Sequence, residues 1–175
     1  DLKSNFKFML ANNVSRKGFY FGNTIALVTV SAFMALVDAI LNVILNNVFV
    51  LNIPYEGVVM QLYRNNSFFA GFLWCFGLNT FAVCFGWFIT MLYYRCNSIM
   101  KIVVSFLPVL SLTILYYIDK ISGGLAGRAV TNLLSRSMGF AYNNNVYIGA
   151  LSLIIGAALI VLICFLPLRK AIAKD

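Results

Sequence analysis

Apolar residues run almost unbroken through four stretches, about Tyr20 to Leu45, Ser67 to Tyr94, Met100 to Ile118 and Val146 to Leu168. At about 1.5 Å of rise per residue, each can cross the roughly 30 Å hydrocarbon layer of a bilayer. The pattern predicts four transmembrane helices in an all-α polytopic fold. The third contains Pro108, which in a spanning helix ordinarily introduces a kink whose freed carbonyl is satisfied by neighbours. Tyrosines gather where the membrane boundaries fall: Tyr20, Tyr93 and Tyr94 at one side, Tyr63, Tyr116, Tyr117, Tyr142 and Tyr147 at the other.

The two longer links are patterned as well. Asn46 to Asn66 has a turn at Pro54 and a helical spacing through Val58, Val59, Leu62 and Tyr63. Asp119 to Asn145 carries Leu125, Ala129, Val130, Leu133, Leu134 and Met138 at helical spacing. That segment is too short to span, so it is expected to lie in the outer interface or to re-enter the bilayer.

Ahead of the first span, Leu2, Phe6, Met9 and Leu10 form a narrow apolar stripe, with Lys3, Ser4 and Lys7 on the other face. Asn12 and Asn13 are expected to end this helix, because Asn tolerates the left-handed conformation, and Ser15 to cap the next one. Two readings fit the stripe. It is a basic-edged anchor lying on the membrane, or a knob docking into a groove on a soluble partner, with Phe6, Met9, Leu10 and Val14 as anchors.

Composition narrows the class. Of 175 residues 62% are hydrophobic and 10% charged, and the mean hydropathy is +0.89, which excludes an ordinary soluble domain. The net charge of +8 does not point to nucleic acid, because the Lys and Arg residues flank apolar runs. Lys3, Lys7, Arg16, Lys17, Arg95, Lys101, Arg169, Lys170 and Lys174 fall on one side, against Arg64, Lys120, Arg128 and Arg136 on the other. The positive-inside rule then puts both termini in the cytoplasm. Residues 1–175 read as one membrane domain: a cytoplasmic helix at 1–14, a four-span bundle at 15–168 and a cytoplasmic tail at 169–175.

The polar positions bear on chemistry. Thr24, Ser31 and Asp38 are spaced by seven and Asp38, Asn42 and Asn46 by four, so they share one broad face of the first span. Asp38 stands roughly 27 Å along the helix from Tyr20, near the outer boundary. It reads as an interfacial carboxylate, hydrated or paired with a base such as Lys120, and the sharper alternative is a translocation path lined by Thr24, Ser31, Asp38 and Asn42. Ser67, Gly71 and Cys75, and likewise Ser152 and Gly156, step by four and permit close helix packing. "FFAGFLWCFG" reads as lipid-facing and core filler.

Cys75, Cys84, Cys96 and Cys164 lack CxxC spacing, and the chain has no His. They are expected to be small core residues rather than a metal site or a disulfide framework. There is no P-loop, GxSxG or HExxH motif, and the five acidic residues, Asp1, Asp38, Glu56, Asp119 and Asp175, are not paired at helical spacing. No catalytic residue, metal or cofactor is expected, so the chain is not expected to be an enzyme.

"NFKFMLANNVSRKGFYFGN" resembles the segment of small Gram-positive bacterial permeases of the ABC transporter type-2 exporter superfamily in which a Phe-rich helix and a Gly-Val-Ser-Arg-Lys turn lead into the third span. Asn13 stands where that pattern carries Gly, a change a left-handed turn can bear. The closing "LPLRKAIAKD" is similar to how these permeases end. Span order matches over the whole chain, but only residues 5–22 are motif-like.

The resemblance implies six spans per subunit and a cytoplasmic coupling helix between the second and third. Residues Asn5 to Val14 would be that helix, with Phe6, Met9, Leu10, Asn13, Val14 and Arg16 meeting a separate ATP-binding-cassette ATPase subunit. The four visible spans would be the third to the sixth. The chain begins without Met, in what reads as mid-helix, and is expected to be the remainder of a longer one. The resemblance further implies a bacterial plasma-membrane location, a re-entrant last outer connection, and a dimer with a like or related permease subunit. The rivals are a non-transporting scaffold or sensor subunit and, less favoured because deeply placed ionisable residues are scarce, a secondary transporter fragment.

Overall fold

The computed structural model describes residue 8 and residues 11–47, 58–63 and 67–169. In chain order the helices are α1 (Arg16–Asn47), α2 (Val58–Tyr63), α3 (Phe68–Arg95), α4 (Ser98–Ile121), α5 (Leu125–Ser137) and α6 (Val146–Arg169), with no strand among the described residues. Four of them, α1, α3, α4 and α6, are long and apolar enough to cross a membrane. Their positions agree with the four stretches expected from the apolar pattern. The two interspersed helical spacings became α2 and α5, and Pro108 lies inside the continuous α4.

Long apolar runs make these helices because, in hydrocarbon, every backbone N–H and C=O must be satisfied within the segment. Polar side chains follow the same rule. Thr24 donates to the Tyr20 carbonyl, Thr29 to Ile25, Ser31 to Leu27, Thr90 to Gly86 and Thr113 to Val109, each one turn back at 2.8–2.9 Å. These hydroxyls are accommodated by their own helices.

The closest pairing is α3 with α6, and α1 packs mainly against α3. The direction of each helix follows from its neighbours. Along α3, Gly77 abuts Ala150 and Leu153, Phe81 covers Gly156, and Trp87 and Met91 cluster with Cys164, so α3 and α6 run side by side in the same direction. Tyr20, at the start of α1, packs against Trp87 and Phe165, late in those two helices. Therefore α1 runs opposite to both.

Small residues let these helices approach. A Cβ on Gly77 would stand 3.0 Å from the Ala150 carbonyl oxygen, and one on Gly156 would stand 3.0 Å from the Phe81 ring. Gly156 was expected at a close contact and is found there. Gly71, expected with it, has nothing within 4 Å of where a Cβ would be, so the tight seam runs through Gly77 instead. Ala35, Ala70, Ala150 and Ala157 are buried. Cys84 and Cys164 are buried too, as expected of small core residues, whereas Cys75 and Cys96 are half-buried.

The fourth long helix differs. α4 has no buried residue in its apolar window and makes its main helix contact with α5.

Candidate functional site

At the N-terminal side, Phe8 and Ala11 are helical and Asn12 and Asn13 form a turn before α1. The Asn12 backbone N–H and side-chain amide both donate to the Phe8 carbonyl, at 3.1 and 2.9 Å. Asn13 takes φ 54°, in the left-handed region, and the Ser15 hydroxyl accepts the Gly18 N–H at 3.0 Å. This is the helix end and fresh cap expected from the sequence: Asn tolerates that backbone and Ser supplies the capping oxygen. Phe8 is 73% exposed and Val14 is exposed beside the turn. Phe6, Met9 and Leu10 lie outside the described residues, and Arg16 is the first residue of α1.

The polar face of α1 is graded. Ser31 is buried, Thr24 and Asn42 are half-buried, and Asp38 is exposed. Tyr20 and Ser31 are eleven residues apart, about three helical turns, so they share one face. That face turns toward α3 and α6, as the buried Ser31, Ala35 and Ala39 record. The structure brings Thr24, Ser31, Asp38 and Asn42 onto one side of α1, with Asp38 open to its surroundings. On α3 the Thr80 hydroxyl and the Trp87 indole N–H are buried without a hydrogen-bond partner among the described residues. Seven residues apart, they too share a face.

Two aromatic clusters pin the bundle at its ends. Tyr20 and Tyr63, expected near the membrane boundaries, are packed against protein there. Tyr20 is 6% exposed: its hydroxyl donates to the Val161 carbonyl at 2.8 Å, tying α1 to α6. Its ring packs with Trp87, Phe165, Met91 and Cys164. A phenol with an acceptor one helix away is better placed inside, because burial of the ring adds to the hydrogen bond.

Tyr63 is 5% exposed. Its hydroxyl donates to the Met138 carbonyl at 2.8 Å and accepts the Trp74 indole N–H at 3.1 Å, while its ring stacks on Phe140. One side chain thus joins α2, α3 and the turn after α5. Gly149 makes room, since a Cβ there would lie 2.7 Å from the Tyr63 hydroxyl and 2.9 Å from the Met138 oxygen. Sequence reasoning missed this junction, although a Trp eleven residues after a Tyr was the available signal.

Tyr63→Phe removes the donor to Met138 and leaves the Trp74 N–H without its acceptor. We expect about 1–3 kcal/mol of destabilisation, read as a lower denaturation midpoint in detergent, while Tyr116→Phe, at an exposed position, changes little. Burial also raises the Tyr63 phenol above its ordinary value of 10.0. The neutral form is therefore favoured in the fold: the stabilisation is full below that pH and is lost as pH rises beyond it.

Three helices packed at this pinned seam, together with α4, are all long and apolar enough to cross a membrane and define the class, a multi-span α-helical membrane protein. No protein-family model, no characterised protein and no solved structure matches the chain.

Proposed function

We propose that this chain is the membrane half of an ATP-driven exporter: a permease subunit that works with a second permease subunit and with separate ATPase subunits in a bacterial plasma membrane, both ends cytoplasmic. The observation that carries the reading is the break at Asn12–Ser15, where a left-handed Asn and a Ser cap separate the helical Phe8 and Ala11 from the first span. A segment meant only to lie on lipid has no need of a rigid corner, whereas a lever has. Val14, one of the expected anchors and exposed beside the corner, adds apolar surface for a partner's groove.

The mechanism is mechanical. ATP binding closes the partner subunits, the docked helix moves with them, and the corner passes the displacement to α1. Tyr20, hydrogen-bonded to α6 and packed on Trp87 of α3, ties that motion to the other two packed spans. Two states of the bundle, biased by nucleotide on the partner, are all the chemistry this chain needs. Nucleotide hydrolysis is assigned to the partner.

The first test is purification of the tagged chain from its native membranes. The expected result is a P-loop ATPase in fixed stoichiometry, whose turnover depends on this chain; a stable complex lacking such a subunit would favour the scaffold reading. For the proposed path, exposure of Asp38 and the internal bonds of Thr24 and Ser31 favour a hydrated boundary carboxylate. Asp38→Asn is therefore expected to leave substrate-stimulated ATPase and transport unchanged, and a large loss of both would move Asp38 into the path.

A further inference from the structure

We propose that α5 lies flat in the headgroup layer and that Lys120, Arg128 and Arg136 hold the phosphates of anionic lipids there. The inference does not depend on the transport reading.

Both ends of α5 are tied at one end of the bundle. Asp119, near the end of α4, accepts the Gly127 N–H through Oδ1 at 2.6 Å, and Met138, just past α5, accepts the Tyr63 hydroxyl beside the start of α6. Glycines in left-handed conformations flank the helix, Gly123 and Gly124 before it and Gly139 after it, at φ 63°, 87° and 80°. These turns let the chain leave the direction of the spans and return to it. A helix of 13 residues is about 20 Å long, and with both ends held at one level it runs along the membrane rather than through it.

The two faces suit that depth. At about 100° per residue, Leu125, Val130, Leu133 and Leu134 fall on one half of the circumference and Arg128, Thr131, Asn132 and Ser135 on the other. Arg136 lies on the margin of the apolar half. No residue of α5 is buried, and those four apolar side chains are all exposed, so nothing among the described residues covers them. Lys120, Arg128 and Arg136 are exposed, and the one acidic residue from 119 to 145, Asp119, is engaged with Gly127. Exposed Tyr116 and Tyr117 precede the helix in the chain and exposed Tyr142 and Tyr147 follow it, the residue type that settles at headgroup depth. Net positive charge above an apolar face complements a lipid phosphate layer. It also accounts for three of the four cations that the positive-inside count leaves on the outer side.

The test uses the full chain in nanodiscs, its four cysteines replaced and a nitroxide placed at Leu133 or Thr131. In phosphatidylglycerol-containing discs the Leu133 label is expected to be relaxed by oxygen and the Thr131 label by an aqueous nickel chelate. Arg128→Gln with Arg136→Gln is expected to lower retained phosphatidylglycerol after delipidation by roughly tenfold or more, with helicity intact and with inorganic phosphate failing to displace the lipid in the native chain. A Leu133 label shielded from both relaxants, as under a second protein copy, would overturn the proposal. So would both labels lying deep in the acyl layer, as in a re-entrant helix, unchanged lipid retention in the double variant, or displacement by inorganic phosphate.

Discussion

Gly77→Leu is expected to prevent stable packing of the bundle, whereas Gly71→Leu, six residues away on the same helix, is expected to behave as native. The two glycines are equivalent in composition and differ only in what they meet. At Gly77 a Cβ would already stand 3.0 Å from the Ala150 backbone oxygen and 3.4 Å from the Leu153 Cβ, and at Gly71 it meets nothing within 4 Å. A backbone carbonyl cannot swing aside as a side chain can, so the larger residue forces α3 and α6 apart. Overpacking of this kind costs about 3 kcal/mol or more, against roughly 0.5 kcal/mol or less at an open position. Between helices in lipid no hydrophobic term offsets the loss, because the surrounding tails are as apolar as the seam. Size-exclusion profiles and thermal midpoints in detergent check both variants; equal behaviour would mean that the α3–α6 seam is not the centre of the fold.

The second large effect belongs to the segment before α1. Phe6→Asp combined with Leu10→Asp is expected to abolish recovery of the ATPase partner while leaving the membrane body folded. Anchor side chains at the centre of a helix-in-groove contact contribute about 2 kcal/mol or more each, so losing two weakens association by roughly a thousandfold. The bundle should tolerate the change, since the described packing of α1 begins near Tyr20. Co-purification with ATPase assay measures the first part and thermal stability the second. Unimpaired recovery of the ATPase with both aspartates present would remove the lever from the mechanism.

The sequence yields the spans readily because an unbroken apolar run of twenty or more residues admits few structures other than a crossing helix. It yields the corner at Asn13 for an equally local reason, Asn being one of the few residues at ease with φ 54°. The packing was far less legible. α3 and α6 are apolar around nearly their whole circumference, so no amphipathic face marks which side meets protein and which meets lipid. Consequently the spacing by four pointed to Gly71 and gave no sign of Gly77, and Tyr20 and Tyr63 were indistinguishable from belt tyrosines such as Tyr116. Their burial depends on acceptors supplied by Val161 and Met138, 141 and 75 residues away in sequence, a separation no local pattern encodes. The polar face of α1 lies between these cases: its spacing was plain, but the self-satisfying bonds of Thr24 and Ser31 emerge only from the folded chain.

The central claim is that residues ahead of α1 grip a motor protein, and a photo-crosslinking residue in place of Met9, on the apolar stripe, activated in native membranes, tests it most directly. The account predicts a single adduct with a P-loop ATPase whose yield changes between nucleotide-free and ATP-bound conditions. Adducts confined to lipid acyl chains, insensitive to nucleotide, would contradict it.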